Sequence, residues 1–329
     1  MSMPSTDAPD PEAPLEFWRR TPPALFPSMM GLFGMGLAWR AASDFAPVSI
    51  TPWIGYCILG IACLIELFLL SSYISKMSYR PSVVLDDMKS VPGRGGVSSM
   101  TMSVFLFAAS LAPISPTVAT VALFIALPFH IFTTVLALTV MVKTPDGLVV
   151  SPAWHLSFVG FVVACLAAVP LGYTGLSVVI LSVACFTALI IYGVSLLQMS
   201  QTKVPAPLRP MLVIHLAPVS LFATVSMLLG YQTLALVFTV LAVGVAGLLL
   251  GRVSYLASAG FSPLWGAFTF PVGALSVALF LVSAQVSAFA WLAFVPLLLV
   301  SLLAPFIFTR VLLMWASGAL ATKTGAATA

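Results

Sequence analysis

Of the ionisable side chains inside long apolar runs of this sequence, three could do chemistry: Glu66 in CLIELFLL, His130 two residues after Pro128, and His215 three residues before Pro218. Carboxyl and imidazole groups trade protons, and burying one in apolar surroundings is costly, so each needs a physical reason. His215 shares a helical face with Pro218; if that face lined a bore, protonation would add positive charge to it. The other reading of His215 is an imidazole bonded between helices. Glu66, the one acid inside such a run, either moves protons with a solute or is a neutral or paired group at a helix or subunit contact. His130 is expected to satisfy carbonyls freed by Pro128.

Other chemistry finds no support. Cys57, Cys63, Cys165 and Cys185 fall in apolar runs with neither metal spacing nor a disulfide framework, and read as packing residues. There is no nucleotide-binding glycine loop, metal cluster or nucleophile–base pair, so no cofactor, no metal and no enzymatic role are expected. The formal charge of +4 comes from scattered basic residues rather than a patch, so nucleic acid is not an expected partner.

FSPLWGAFTFPVG, residues 261–273, raises a different question. A proline inside a membrane helix leaves a carbonyl without its partner. Phe270 precedes Pro271 and has Gly266 and Ala267 on one side, Gly273 and Ala274 on the other. A ring on a face stripped of bulk either packs into a neighbour or fills a hole.

The elements that hold these residues follow from composition. The chain is 61% apolar and 7% charged, against about 25% charged in soluble domains. Its apolar runs are continuous and roughly 20 residues long, enough for a helix to cross a bilayer, and lack the alternation of a β-barrel. An all-α membrane protein with ten spans is expected, at 22–41, 50–73, 97–113, 117–141, 153–170, 175–197, 209–229, 232–250, 263–284 and 288–315. Residues 1–21 are expected to form a disordered cytoplasmic tail, acidic, proline-rich and unlike a signal peptide, and 316–329 a second cytoplasmic tail. Connections alternate between tight turns (LAPISP, PLGYTG, LLGYQ) and longer polar segments at 74–96, 142–152 and 198–208. With both termini cytoplasmic, Arg40 alone of the 13 Lys and Arg residues falls outside, as the positive-inside rule requires.

The odd-numbered spans share a pattern. PALFPSMMG, PAWHLSFVG, PMLVIHLAP and PLWGAFTFP each open on proline and place glycine or proline eight residues later; the third span shows this poorly. Breakers concentrated in one member of each of five helical hairpins point to an inner ring of odd helices around a central pore and an outer ring of even ones. The residue before each breaker is Met30, Val159, Ala217 or Phe270, and the breakers are Gly31, Gly160, Pro218 and Pro271. These residues, with His215, Gly266 and Ala274, are the candidate lining, and Phe270 is the one aromatic among the four. Ser28, Ser157, Ser220 and Thr269 are candidate polar contacts, although such hydroxyls more often bond back to their own helix. Gly247 and Gly251 form a GxxxG pair that implies close packing within or between subunits.

LFPSMMGLFGMGLAW, SPAWHLSFVG, LRPMLVIHLAPVS and WGAFTFPVGALS, in that order, resemble the tellurite-resistance/dicarboxylate transporter family, which includes bacterial TehA and the plant guard-cell slow anion channels. The resemblance implies ten helices in five hairpins, a homotrimer with one pore per subunit, small anions as cargo, and a phenylalanine on the ninth helix that occludes the pore. By motif position that residue is Phe270, with Phe268 the alternative. VPGRGGVSS before the third span and His215 depart from the family pattern, which leaves the cargo open. Three readings follow. The first is a gated bacterial inner-membrane channel for small monovalent anions. The second is a proton-coupled exporter of sulfite, tellurite or C4-dicarboxylate using Glu66 or His215, and the third a non-transporting membrane subunit of a larger complex.

Overall fold

The computed structural model describes residues 17–43, 45, 52–144 and 149–329. Tail residues 1–16, the first residues of the expected span at 50–73, and 145–148 of the connection 142–152 lie outside them. All regular structure among the described residues is helical. The α-helices in chain order are α1 (Phe26–Ala42), α2 (Pro52–Tyr79), α3 (Val83–Met88), α4 (Val91–Leu111), α5 (Pro116–Lys143), α6 (Cys165–Ala168), α7 (Thr174–Gln201), α8 (Leu216–Leu228), α9 (Gln232–Leu250), α10 (Val253–Leu256), α11 (Phe270–Val282), α12 (Ala288–Ala316) and α13 (Ala319–Thr324). Among the described residues, 7 helical segments are long and apolar enough to cross a membrane: α2, α5, α7, α9, α12, and the composite segments Ala206–Leu228 and Pro263–Val282.

The remaining expected spans, 22–41, 97–113 and 153–170, fall short for identifiable reasons. The first is divided into a 3-10 turn, Pro23–Leu25, and the 17-residue α1. The second lies within α4, whose first turns carry Gly93, Arg94, Gly95, Gly96, Ser98 and Ser99 and are correspondingly less apolar. The third changes form along its length, from a π-helical turn (His155–Val159) through a 3-10 segment (Gly160–Ala164) to α6. A segment surrounded by protein need not present an apolar face to lipid.

Burial separates the elements into two kinds. In the apolar stretch of Ala206–Leu228, 89% of residues are buried, and 72% in that of Pro263–Val282; in α9 the share is 17% and in α5 28%. The buried elements close a circuit: α1 packs on α4 and α11, α11 on α8, α8 on the 160–164 segment, and that segment on α4. Each also packs on the exposed helix that follows it, α1 on α2, α4 on α5, the 155–164 segment on α7, α8 on α9 and α11 on α12. Turns at two of the tight connections use Gly172 and Gly230 at φ 89 and 82, a region that side chains other than glycine resist.

One connection and part of the N-terminal tail carry more regular structure than expected. The segment 74–96 is largely helical, because α2 runs on to Tyr79, α3 follows, and α4 opens at Val91. Ser90 caps α4, its Oγ accepting from Gly93 N at 3.1 Å. Residues 17–21, assigned by sequence to a disordered tail, include a 3-10 turn at Phe17–Arg20. They are held at what we call the basal end of the bundle. Lys76 Nζ donates to Thr21 O and to Asp87 Oδ2, each at 2.9 Å, and Tyr73 OH donates to the same carboxylate. Ala327 N donates to Asp87 Oδ1 at 2.7 Å, and Arg19 Nε to Ala329 O at 2.6 Å, so the chain's last residues join the same cluster. Lys76 and Asp87 are both fully buried. The opposite end, which carries Arg40, Gly172 and Gly230, is the distal end.

Candidate functional site

Helical form changes where the inner elements carry their breakers. Pro263–Phe268 is a 3-10 segment, Thr269 is the junction, and α11 begins at Phe270. Pro271 therefore sits in the first turn of an α-helix, where a missing N–H leaves no bond unmade. The same device recurs at Ala206–His215, a 3-10 segment that gives way to α8 with Pro218 in its first turn. No proline interrupts an α-helix at either place. The strain expected from Pro271 is relieved by a change of helix type.

Around these junctions glycines bring α1 and the 263–273 stretch together. A Cβ on Gly31 would overlap the Thr269 side chain, one on Gly273 would fall 2.8 Å from the Gly34 carbonyl carbon, and one on Gly34 would lie 3.3 Å from Phe270 Cδ2. This contact fixes the backbone of Phe270 against α1 and directs its ring toward the interior of the circuit.

Two cavities lie inside that circuit. The basal one, about 70 Å³, is walled by all five inner elements, including Pro27 and Met30 of α1, Gly95 and Ser99 of α4, His155, Val159 and Gly160, Ala217 and Pro218 of α8, and Gly266 and Pro271. The distal one, about 170 Å³, is walled by Gly34, Leu37 and Arg40 of α1, Leu166 and Pro170, Thr224 and Leu228 of α8, and Ala274 and Leu281 of α11. Among the described residues, only Phe270 and Leu221 line both. Phe270, 5% exposed, and Leu221 stand where the two cavities adjoin. Among the described residues no Asp or Glu lines either cavity.

The sequence candidates distribute unevenly around this geometry. Met30, Val159, Gly160, Ala217, Pro218, Gly266, Phe270 and Pro271 line the basal cavity, and Ala274 the distal. Gly31 lines neither and is instead the contact with Thr269. Phe268 packs edge-on against Trp265 at 5.4 Å and lines a lateral apolar pocket between α9, α11 and α12. His215 also lies off the axis, in a basal side pocket with Arg94 and Lys203. Its Nδ1 is 3.0 Å from Nε2 of His155, which does line the basal cavity.

Glu66 is wholly buried at the α2–α4 contact, accepting from Ser103 Oγ at 2.6 Å, and lines none of these cavities. His130 differs from expectation. Its Nδ1 bonds to Thr101 Oγ1 at 2.5 Å rather than to a carbonyl, and its ring lies against Phe105 and Phe161. Ser28, Ser220 and Thr269 bond back to carbonyls of Leu25, Leu216 and Gly266, while Ser157 pairs with Ser98 at 2.7 Å. A Cβ on Gly247 would meet nothing within 4 Å and one on Gly251 only carbonyls of α9, so among the described residues the pair makes no close helix contact.

Residues 20–312 match the family described as Voltage-dependent anion channel (SLAC1). The chain belongs to that family. No curated protein matches it. The voltage-dependent anion channel family is the tellurite-resistance/dicarboxylate group that includes TehA and the plant channels, so the four ordered motifs mark a true relationship. Membership, together with the apolar helices, makes this a multi-pass membrane protein of anion transport, and members of the family are channels or transporters rather than enzymes.

Three lining residues carry chemistry that local sequence does not reveal. Arg40 reaches the distal cavity, where its guanidinium donates to Ala109 O at 3.2 and 3.3 Å and to Ser110 O at 3.4 Å. Its signal in the sequence is that the expected topology places it alone among the basic residues on the outer side. Ser99 and His155 are the others; His155 stands within the proline–glycine motif of the fifth expected span, the sole hint that it belongs inside.

Proposed function

We propose that this protein is a gated channel for small monovalent anions whose path runs through the basal and distal cavities and is closed between them by Phe270. The observation that carries the reading is that Phe270, with Leu221, is the wall the two cavities share. A phenyl ring across a narrow apolar passage blocks ions by volume and by dewetting. Because the backbone of Phe270 is held by the glycine contact with α1, opening proceeds by movement of the ring. Anion preference is modest and has two sources: walls without carboxylates, and the Arg40 charge at the distal cavity.

In this reading the chain crosses the membrane ten times as five hairpins, α1, α4, the 155–168 segment, α8 and α11 being inner and α2, α5, α7, α9 and α12 outer. The contrast in burial and the closed circuit of inner contacts support it. Both termini are cytoplasmic in a bacterial inner membrane, so the basal cavity faces the cytoplasm, as the charge distribution favours. Subunits associate as a homotrimer through lipid-facing helices, a state that native mass measurement checks.

The test is chloride and nitrate flux in proteoliposomes. Phe270→Ala is expected to raise flux about tenfold or more, tenfold corresponding to roughly 1.4 kcal/mol off the barrier. Equal flux in the native protein and the variant would remove the gate. A proton-coupled exporter would instead show flux that follows an imposed pH gradient and falls in Glu66→Gln; the position of Glu66 away from both cavities argues against this.

A further inference from the structure

The conduit reading leaves two buried polar groups of the basal cavity without a task. Ser99 Oγ and His155 Nδ1 have no hydrogen-bond partner, and both residues line the cavity. Ser99 is fully buried and His155 is 3% exposed. Buried polar atoms left without a partner are costly, so two at one small cavity point to an occupant that bonds to both.

Whether His155 offers a hydrogen or a lone pair depends on its neighbour. A single proton lies between His155 Nε2 and His215 Nδ1, 3.0 Å apart. The outer nitrogen of His215, Nε2, has no partner, and His215 lines the side pocket together with Arg94 and Lys203. Arginine and lysine donate only. A lone pair on His215 Nε2 suits them. His215 then carries its hydrogen on Nδ1 and donates it to His155 Nε2. The neutral His155 must then hold its own hydrogen on Nδ1, the nitrogen that has no partner. Tyr192 keeps the pair in register, its ring 4.8 Å from His155 and 5.3 Å from His215 and its hydroxyl donating to His215 O at 2.5 Å.

We propose that Ser99 Oγ–H and His155 Nδ1–H form a binding subsite in the basal cavity for one small, weakly hydrated monovalent anion of halide or nitrate size, with His215 as the positioning residue that sets the tautomer. The subsite rests on the reading that the basal cavity belongs to the conduit. At about 70 Å³ the cavity exceeds the roughly 10–15 Å³ that a single water requires. Its other walls are largely aliphatic and free of Asp and Glu, so an entering anion sheds part of its hydration against neutral donors. That favours anions that hold water weakly.

The chain has 3 histidines, which makes imidazole ¹⁵N spectra tractable. Bromide titrated into ¹⁵N-histidine-labelled protein in lipid nanodiscs is expected to shift His155 saturably from an Nδ1–H tautomer. Ser99→Ala should weaken bromide about fivefold, the net worth of one hydrogen bond. His155→Leu should abolish the saturable response of the remaining histidines, whereas His155→Asn, which keeps an amide donor near Nδ1, should retain it. His215→Leu should weaken bromide and His215→Asn restore it, a rescue that a merely structural role would not produce. An unshifted His155, an Nε2–H tautomer, or native affinity in Ser99→Ala would each overturn the subsite. Binding does not depend on permeation. Saturable bromide with unchanged Phe270→Ala flux sinks the conduit and keeps the subsite, and leaky Phe270→Ala with no bromide response does the reverse.

Discussion

Glycines of the inner elements lie close against neighbouring elements: the Cβ position of Gly273 falls on the Gly34 backbone, that of Gly34 on Phe270, and that of Gly31 on the Thr269 side chain. On the exposed helices the Cβ positions of Gly60, Gly193, Gly244 and Gly247 meet nothing within 4 Å. The same residue type thus serves two ends. Inside the circuit it lets α1 and α11 approach until Phe270 is clamped between two cavities. Outside it is tolerated by a helix that lipid does not press upon. Glycine frequency alone therefore says little about a membrane helix, whereas a glycine facing a glycine marks where the backbone itself forms the wall.

The largest effect is expected where the inner and outer elements are tied together at the basal end. Asp87→Ala leaves Lys76 buried without its carboxylate and should cost about 3–5 kcal/mol. Lys89→Met, which removes the exposed pair with Asp86, should stay within about 1 kcal/mol in the same unfolding measurement. Equal losses would mean that the basal cluster is not the tie the geometry makes it.

Gly273→Ala tests the inner side of the comparison. Its methyl must displace the Gly34 backbone, an overpacking penalty of about 1–3 kcal/mol by denaturant titration. Arg40→Gln removes the bonds to Ala109 O and Ser110 O, which should cost about 1–2 kcal/mol, and should lower chloride flux a few-fold at low ionic strength, the flux difference shrinking as salt screens the charge. The smallest effect belongs to the outer side, where Gly244→Ala should be neutral or stabilising by up to about 1 kcal/mol through helix propensity. A Gly244→Ala as damaging as Gly273→Ala would erase the distinction between the two sets.

Much of the helical layout is legible in the residues because a run of apolar side chains reports a helix directly. The expected span 232–250 coincides with α9, and 288–315 differs from α12 by one residue at its end. The inner elements are harder to read for a physical reason. Contact with protein on every side lets them carry Gly93, Arg94, Ser98 and Ser99, and lets 155–168 pass through three helical forms. The proline–glycine pattern finds Met30, Val159, Ala217 and Phe270 because breakers and cavity walls coincide. It passes over His155 and Ser99, since nothing local joins His155 to a partner 60 positions away; only the closed circuit does. His215 misleads for the same reason, as a face shared with Pro218 does not say which side of α8 meets the axis.

Phe268 and Phe270 offer the most direct test, being alike in chemistry and different in place. Chloride conductance in planar bilayers should rise sharply in Phe270→Ala, which joins the two cavities, and stay at the native level in Phe268→Ala, which empties only a lateral pocket. Native conductance in Phe270→Ala, or equal increases in both, would contradict the partition on which the account depends.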